Sequence, residues 1–135
     1  MKLSAKELKQ ISTCSKRELG AWGEAKASEY LESLGFQVLA RNWRCRFGEV
    51  DLVVFDPQIR AVIAVEVKTR RSVQAGIPEE AITPEKLRRI RMLIVEWISV
   101  YQEKCRGLHW NELKVQAIAI DIRGEHCFLR YLREL

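Results

Sequence analysis

Residues 48–68 read GEVDLVVFDPQIRAVIAVEVK, two apolar runs joined by a short polar segment. Residues 52–55 and 61–65 are apolar at consecutive positions, which is typical of strands that are buried on both faces. Between them, Pro57 stands in a turn sequence where its fixed φ angle is useful. The stretch therefore predicts a β-hairpin near the centre of a sheet.

Charged residues stand at the end of each apolar run. Glu49 and Asp51 precede the first run, and Glu66 and Lys68 follow the second. Charged side chains are rarely embedded in apolar strands unless they are paired, hydrogen-bonded or bound to a metal. If residues 57–60 form the turn, Asp51 lies opposite Glu66, Glu49 lies opposite Lys68, and all four emerge on one face.

Two carboxylates directly opposite each other on one face repel, and a divalent cation bound between them removes this repulsion. Asp51 and Glu66 are therefore candidate ligands for Mg²⁺ (or Mn²⁺), with the backbone carbonyl of Val67 as a further oxygen ligand. A metal ion lowers the pKa of a bound water and offsets charge on a phosphate. Lys68 is the candidate cation for that water or phosphate. Glu24 completes the outer coordination sphere if the first helix packs on this face.

Ordinary ion pairing is the alternative interpretation of the same residues. A register slipped by two residues places Asp51 opposite Lys68, as a cross-strand salt bridge. The pattern Asp…Glu-x-Lys also occurs by chance in a chain of which 30% is charged. Spacing alone leaves both interpretations open.

The rest of the chain predicts an α/β (α+β) fold, in which a mixed five-stranded sheet carries a helix on each face. A right-handed crossover joins the third strand to the fourth through the long helix. Residues 69–82 form a long loop. Residues 1–14 are an N-terminal arm or a short helix, and residues 15–135 are one domain. Helices are predicted over residues 15–34 and 84–107, and strands over residues 36–41, 49–55, 61–68, 113–122 and 127–132.

Composition describes an ordinary globular domain. The chain has 135 residues, 47% of them hydrophobic, and a formal net charge of +5. No apolar run reaches the roughly 20 residues that span a bilayer, and the first residues lack a signal-peptide pattern, so a cytoplasmic location is expected. The four cysteines do not have zinc-site spacing and are expected to be reduced thiols.

Several motifs occur in a defined order along the chain. They are Gly20-x-x-Gly23-Glu24-x-x-Ala27, Arg41-Asn42-x-Arg44, Gly48-Glu49-Val50-Asp51-Leu52 and Val65-Glu66-Val67-Lys68-Thr69-Arg70. With these motifs, the sequence resembles the YraN-type family of small bacterial proteins, which is similar to archaeal Holliday junction resolvases of the PD-(D/E)xK class.

The resemblance implies that residues 15–135 are one nuclease-like domain with a restriction-endonuclease-like core, and it implies Mg²⁺-dependent cleavage of DNA, including branched or recombination intermediates. It also implies catalytic roles for Glu24, Asp51, Glu66 and Lys68, and a homodimer by analogy with resolvases. With DNA as the expected substrate, we expect the loop over residues 69–82 to be mobile without DNA. Val50 replaces the proline of the class name, and the neighbouring carboxylate is retained.

Basic residues bracket the acidic segments, as a phosphate-binding rim requires. Trp43 and Phe47 are candidates for stacking on an exposed base. The alternative for Arg88, Arg89 and Arg91 is the solvated face of an amphipathic helix, and the alternative for Trp43 is a core or dimer contact. The rivals to a nuclease are a non-catalytic nucleic-acid-binding module and a structural protein with an acidic salt-bridge cluster. The candidate nucleic-acid-binding residues are Arg41, Arg44, Arg46, Arg70, Arg71, Lys86 and Arg89.

Overall fold

The computed structural model describes residues 1–71 and 76–135, and within these ranges five strands form one sheet in the order β1-β2-β3-β4-β5. Strands β3 and β4 are parallel, and every other neighbouring pair is antiparallel. The mixed five-stranded sheet predicted from the sequence is confirmed. The strands are β1 (Gln37–Cys45), β2 (Gly48–Asp56), β3 (Ala61–Arg71), β4 (Glu112–Arg123) and β5 (His126–Leu132). The helices are α1 (Ala5–Thr13), α2 (Lys16–Ser33), α3 (Pro84–Val100), α4 (Gln102–Arg106) and a 3₁₀ helix (Pro78–Ala81).

The β2–β3 hairpin has the predicted register at its turn. Asp56 pairs with Ala61, and the pairing continues to Leu52 and Val65. All residues of these paired segments are buried. The hairpin therefore lies at the centre of the sheet, as its unbroken apolar character predicted.

A helix covers each face of the sheet. On one face, Ala27 and Leu31 of α2 belong to a buried cluster with Leu52 and Val65. Leu3 and Ile11 at the N-terminal end belong to the same cluster. On the other face, buried residues of α3 form a second cluster with the opposite side of the strands, which includes Ile90, Ile94, Trp97, Val53 and Val62.

Strand β1 is longer than predicted. It continues to Cys45, whereas the apolar pattern stops at Arg41. Because β1 is an edge strand, exposed and partly buried side chains alternate along its outer part. The partly buried Trp43 and Cys45 pack against the α3-side cluster. Most of residues 42–48, which the sequence predicts as a polar connection between the first two strands, therefore belong to strands.

The predicted loop over residues 69–82 also has structure at both ends. Strand β3 continues to Arg71 because its outer part pairs with β4, and Pro78–Ala81 forms the 3₁₀ helix. The sequence predicts mobility for residues 69–82, and residues 72–75 of this stretch lie outside the described residues. The long second helix divides at Tyr101 into α3 and α4. Within the described ranges, no helix is long and apolar enough to cross a membrane.

Candidate metal and nucleic-acid site

Asp51 lies at a break in the sheet. The pairing of β2 with β3 ends at Leu52 and Val65, and the Asp51 carboxylate accepts a hydrogen bond of 2.8 Å from the Val67 backbone N–H. The carboxylate thus takes a hydrogen bond that a strand carbonyl would otherwise accept. The two strands part at this point and leave an opening between them.

The alternation of side chains also shifts at Asp51. Val50 and Val53 are three positions apart, yet both pack on the α3 side of the sheet, while Leu52 packs on the α2 side. Asn42, beside Asp51 on β1, has a φ angle of 49°. The register count therefore does not extend to Glu49 and Lys68, because the regular two-residue period on which it depends is interrupted.

Three carboxylates converge at this break. Oxygens of Glu24, Glu49 and Asp51 lie within 4.8 Å of one another. Glu24 comes from α2, and the other two come from the start of β2. A set of carboxylate oxygens suits a hard divalent cation such as Mg²⁺. The residues present therefore fit the metal that the sequence predicted, and they add Glu49 to the candidate ligands.

Glu66 lies beside the three carboxylates, on the inner side of the opening. It is only 9% exposed, its carboxyl group shares a hydrogen bond with Asp51, and Lys86 Nζ lies 3.8 Å from its Oε1. Burial, followed by the hydrogen bond and the charge of Asp51, raises the pKa of Glu66 well above its ordinary range. Asp51 and Glu66 are thus neighbours, as predicted, in an arrangement that disfavours two free negative charges.

Glu24 and Lys68 also have shifted pKa values. Burial and the charge of Asp51 raise the pKa of Glu24 to about 7, against a hydrogen bond from Asn42. Burial and the charges of Arg70 and Lys86 lower the pKa of Lys68. Such shifts are common at functional sites because titrating groups there are crowded and partly desolvated.

Two neighbouring openings flank the carboxylates, and Asp51, Glu66 and Lys86 line both. The smaller, on the α3 side, has a volume of about 280 Å³ and includes Glu49 and Arg89. The larger, of about 570 Å³, lies between the start of α2 and the end of β3. Its basic residues are Lys16, Lys68, Arg70, Arg71 and Lys86.

The structure brings together only some of the predicted nucleic-acid-binding residues. Arg41 pairs with Glu32 at 3.5 Å, and Arg44 pairs with Glu49 at 3.2 Å. Arg46 stacks over the ring of Phe47, with its guanidinium carbon 4.6 Å from the ring centroid. Arg70, Arg71, Lys86 and Arg89 line the two openings, and Lys16 joins them without having been predicted. Only the packing of α2 places Lys16 there, far in sequence from the acidic motifs.

The fold and the site define a small α+β protein with a carboxylate cluster where two central strands of a mixed sheet part. The model of a family described as "Uncharacterised protein family UPF0102" matches residues 23–122. The chain belongs to this family, which is the YraN-type family that its motifs resemble.

Curated relatives match most of the chain. It is similar to a UPF0102 protein of Mycobacterium sp. (strain KMS), with 41% identity over 117 residues, which is 87% of this chain and 83% of the relative. It is also similar to a UPF0102 protein of Renibacterium salmoninarum, with 43% identity over 122 residues, which is 90% of this chain and 98% of the relative.

Proposed function

We propose that this protein is a Mg²⁺-dependent endonuclease that hydrolyses DNA phosphodiester bonds, with branched or recombination intermediates as its substrates. The observation that carries the proposal is the group of three carboxylate oxygens within 4.8 Å of one another at the break between β2 and β3. Glu66 and Lys68 adjoin this group in a cleft with several basic side chains. The resemblance to Holliday junction resolvases supports the same chemistry.

Each residue has a role in the proposed reaction. Asp51, held in place by the Val67 N–H, is the central metal ligand, and Glu24, Glu49 and Glu66 are the carboxylates available around it. The carbonyl of Val67 remains a predicted further ligand. When bound, the metal would supply a nucleophilic water at neutral pH and electrostatic stabilisation of the phosphate.

Lys68 and the other basic residues that line the larger opening act on the substrate. Lys68 is half-buried on the same strand as Glu66, and its ammonium group donates to a phosphate oxygen or to the attacking water. Lys16, Arg70 and Arg71 bind the flanking phosphates, which positions the scissile bond without reading the base sequence.

The test incubates the purified protein with Mg²⁺ or Mn²⁺ and linear, flap and four-way DNAs, beside Asp51→Asn, Glu66→Gln and Lys68→Ala. We expect metal-dependent cleavage by the wild type and a loss of about 100-fold or more for each variant. Glu112→Gln is the matched control, since Glu112 lies at the start of β4, pairs with Lys114 and lines neither opening.

The outcomes separate the proposal from its rivals. Cleavage that survives all three substitutions contradicts the site. DNA binding without cleavage favours a non-catalytic nucleic-acid-binding module. Absence of DNA binding at low salt favours a structural protein, in which the acidic residues serve to form the ion pairs Glu49–Arg44 and Glu66–Lys86.

A further inference from the structure

The outer side of α3 carries apolar side chains that the fold leaves uncovered. Met92 is 71% exposed, Val95 is 55% exposed, and Phe47 in the β1–β2 turn is 62% exposed. A groove of about 480 Å³ lies between Phe47 and the helix, with Leu93 as part of its lining. Phe47 and Met92 thus expose apolar side chains at the same groove, and exposed apolar surface of this kind is a candidate site of protein association.

The charges around the groove are balanced and unpaired. Glu85, Arg88, Arg89 and Glu96 all line it, two acidic and two basic side chains. Within residues 1–71 and 76–135, none of the four forms an ion pair. A surface that binds the phosphate backbone needs an excess of cations, so this balance favours a protein partner over DNA.

The order of these charges along α3 is self-complementary. Arg88 precedes Met92 by four residues, and Glu96 follows it by four, which is about one helical turn on each side. If two α3 helices pack antiparallel about a two-fold axis at Met92, Arg88 of each copy lies opposite Glu96 of the other. Because a two-fold interface repeats each contact, the arrangement forms two such pairs around a Met92–Met92 contact.

From this symmetry we propose that a second copy of this chain docks on the α3 groove, and that the protein is a two-fold homodimer with its axis at Met92. The interface borders the carboxylate site, because Arg89 and Leu93 line both the groove and the α3-side opening. The dimer places one carboxylate site on each side of the axis. Its existence does not depend on cleavage by either site.

Charge exchange tests the proposed axis. Sedimentation velocity over a micromolar concentration series is expected to show a dimer for the wild type. Arg88→Glu alone and Glu96→Arg alone place like charges opposite each other twice, so each is expected to weaken the dimer by about tenfold or more. An equimolar mixture of the two variants is expected to recover dimers. In the mixed dimer, one copy carries glutamate at both positions and the other carries arginine at both, so both cross-axis pairs again join opposite charges.

Arg91→Glu is the matched control, since Arg91 is exposed on the same helix and lies outside the groove. It is expected to dimerise like the wild type, and circular dichroism checks that all variants are folded. A monomeric wild type, a dimer unaffected by Arg88→Glu, or a mixture that stays monomeric would each overturn the proposal. Loss of DNA affinity in Arg88→Glu with a monomeric wild type would assign the groove to nucleic acid instead.

Discussion

At the scale of single residues, Asp51 connects the fold to the site. Its carboxylate accepts the Val67 N–H in place of a strand carbonyl, so the strands separate without leaving that donor unpaired. The same side chain belongs to the cluster of three carboxylates with Glu24 and Glu49, and it lies beside Glu66. A structural hydrogen bond therefore fixes the position of the proposed central ligand, and the neighbouring carboxyl groups are crowded around it at a cost in stability.

This crowding predicts that Glu66→Gln stabilises the protein in the absence of metal. The amide keeps the shape and a hydrogen-bond donor toward Asp51, and it removes the buried acid. We expect a gain of about 0.5–2 kcal/mol, which is roughly 2–8 °C in Tm for a domain of this size. Thermal unfolding in EDTA measures it. An unchanged or lower Tm would contradict the strain that is assigned to Glu66.

The gain from Glu66→Gln depends on pH in a defined direction. The pKa of Glu66 is raised from its ordinary value of 4.5, so the folded state retains a proton that the unfolded state loses. Below about pH 4.5 both states are protonated, and the wild type carries no penalty. The penalty grows as the pH rises above this value, so the difference in Tm between variant and wild type is expected to increase from about pH 4 to about pH 8.

Glu49 is expected to be a metal ligand. Mg²⁺ binding to the folded state raises the Tm of the wild type by an amount that grows with the logarithm of its affinity, and Glu49→Gln is expected to shrink this rise. Removal of a ligating carboxylate is expected to weaken Mg²⁺ binding by about tenfold or more. A titration of Tm against Mg²⁺ compares the variant with Glu112→Gln. Equal titrations for the two variants would exclude Glu49 from the site.

At the scale of elements, the packing of α2 on β3 depends on one glycine. A Cβ on Gly23 would lie 1.8 Å from Oγ1 and 2.9 Å from Cβ of Thr69, whose short branched side chain has little freedom to move. A Cβ on Gly20, one turn earlier in the same helix, meets nothing within 4 Å. The close contact at Gly23 brings Glu24 of α2 to the break in the sheet.

The two glycines are therefore expected to respond in opposite directions to alanine. Gly20→Ala is expected to stabilise the protein by up to about 1 kcal/mol through helix propensity. Gly23→Ala gains the same propensity but is expected to lose about 1–3 kcal/mol net, because α2 must move away from Thr69. Chemical denaturation of both variants measures the difference. Similar stabilities would show that α2 does not approach β3 as closely as described.

The hairpin and the carboxylate site differ in how far sequence patterns predict them. The Asp56–Ala61 register follows from the Pro57 turn and the apolar runs, and counting from it correctly makes Asp51 a neighbour of Glu66. The position of Glu49 could not be predicted by counting residues from the turn. The alternation of side chains between the two faces of the sheet shifts at Asp51, beside Asn42 of β1 with its positive φ angle. Periodicity carries no signal for such a shift, and the position of the first lysine of α2 depends on the packing of a distant helix.

At the scale of the whole molecule, positive charge is concentrated where the sheet opens. Among the described residues, five basic and three acidic side chains line the larger opening beside the carboxylates. A bound divalent cation would offset most of the acidic charge. Lys16 is exposed at the start of α2 and lines this cleft. Under the proposed function, DNA therefore enters along the start of α2, and Lys16 contacts a phosphate.

This path predicts the effect of Lys16→Ala on the salt dependence of DNA binding. Loss of one phosphate contact reduces the slope of log K against log salt by about 0.9 for duplex DNA, with weaker binding to every sequence. Lys9→Ala is the control, because Lys9 is also exposed, lies on α1 and lines neither opening. Fluorescence anisotropy over a salt series, in Ca²⁺ to prevent cleavage, measures both slopes. Identical slopes for the two variants would place the DNA elsewhere, whereas a reduced slope for Lys16→Ala alone would align the bound duplex with the cleft that contains Asp51.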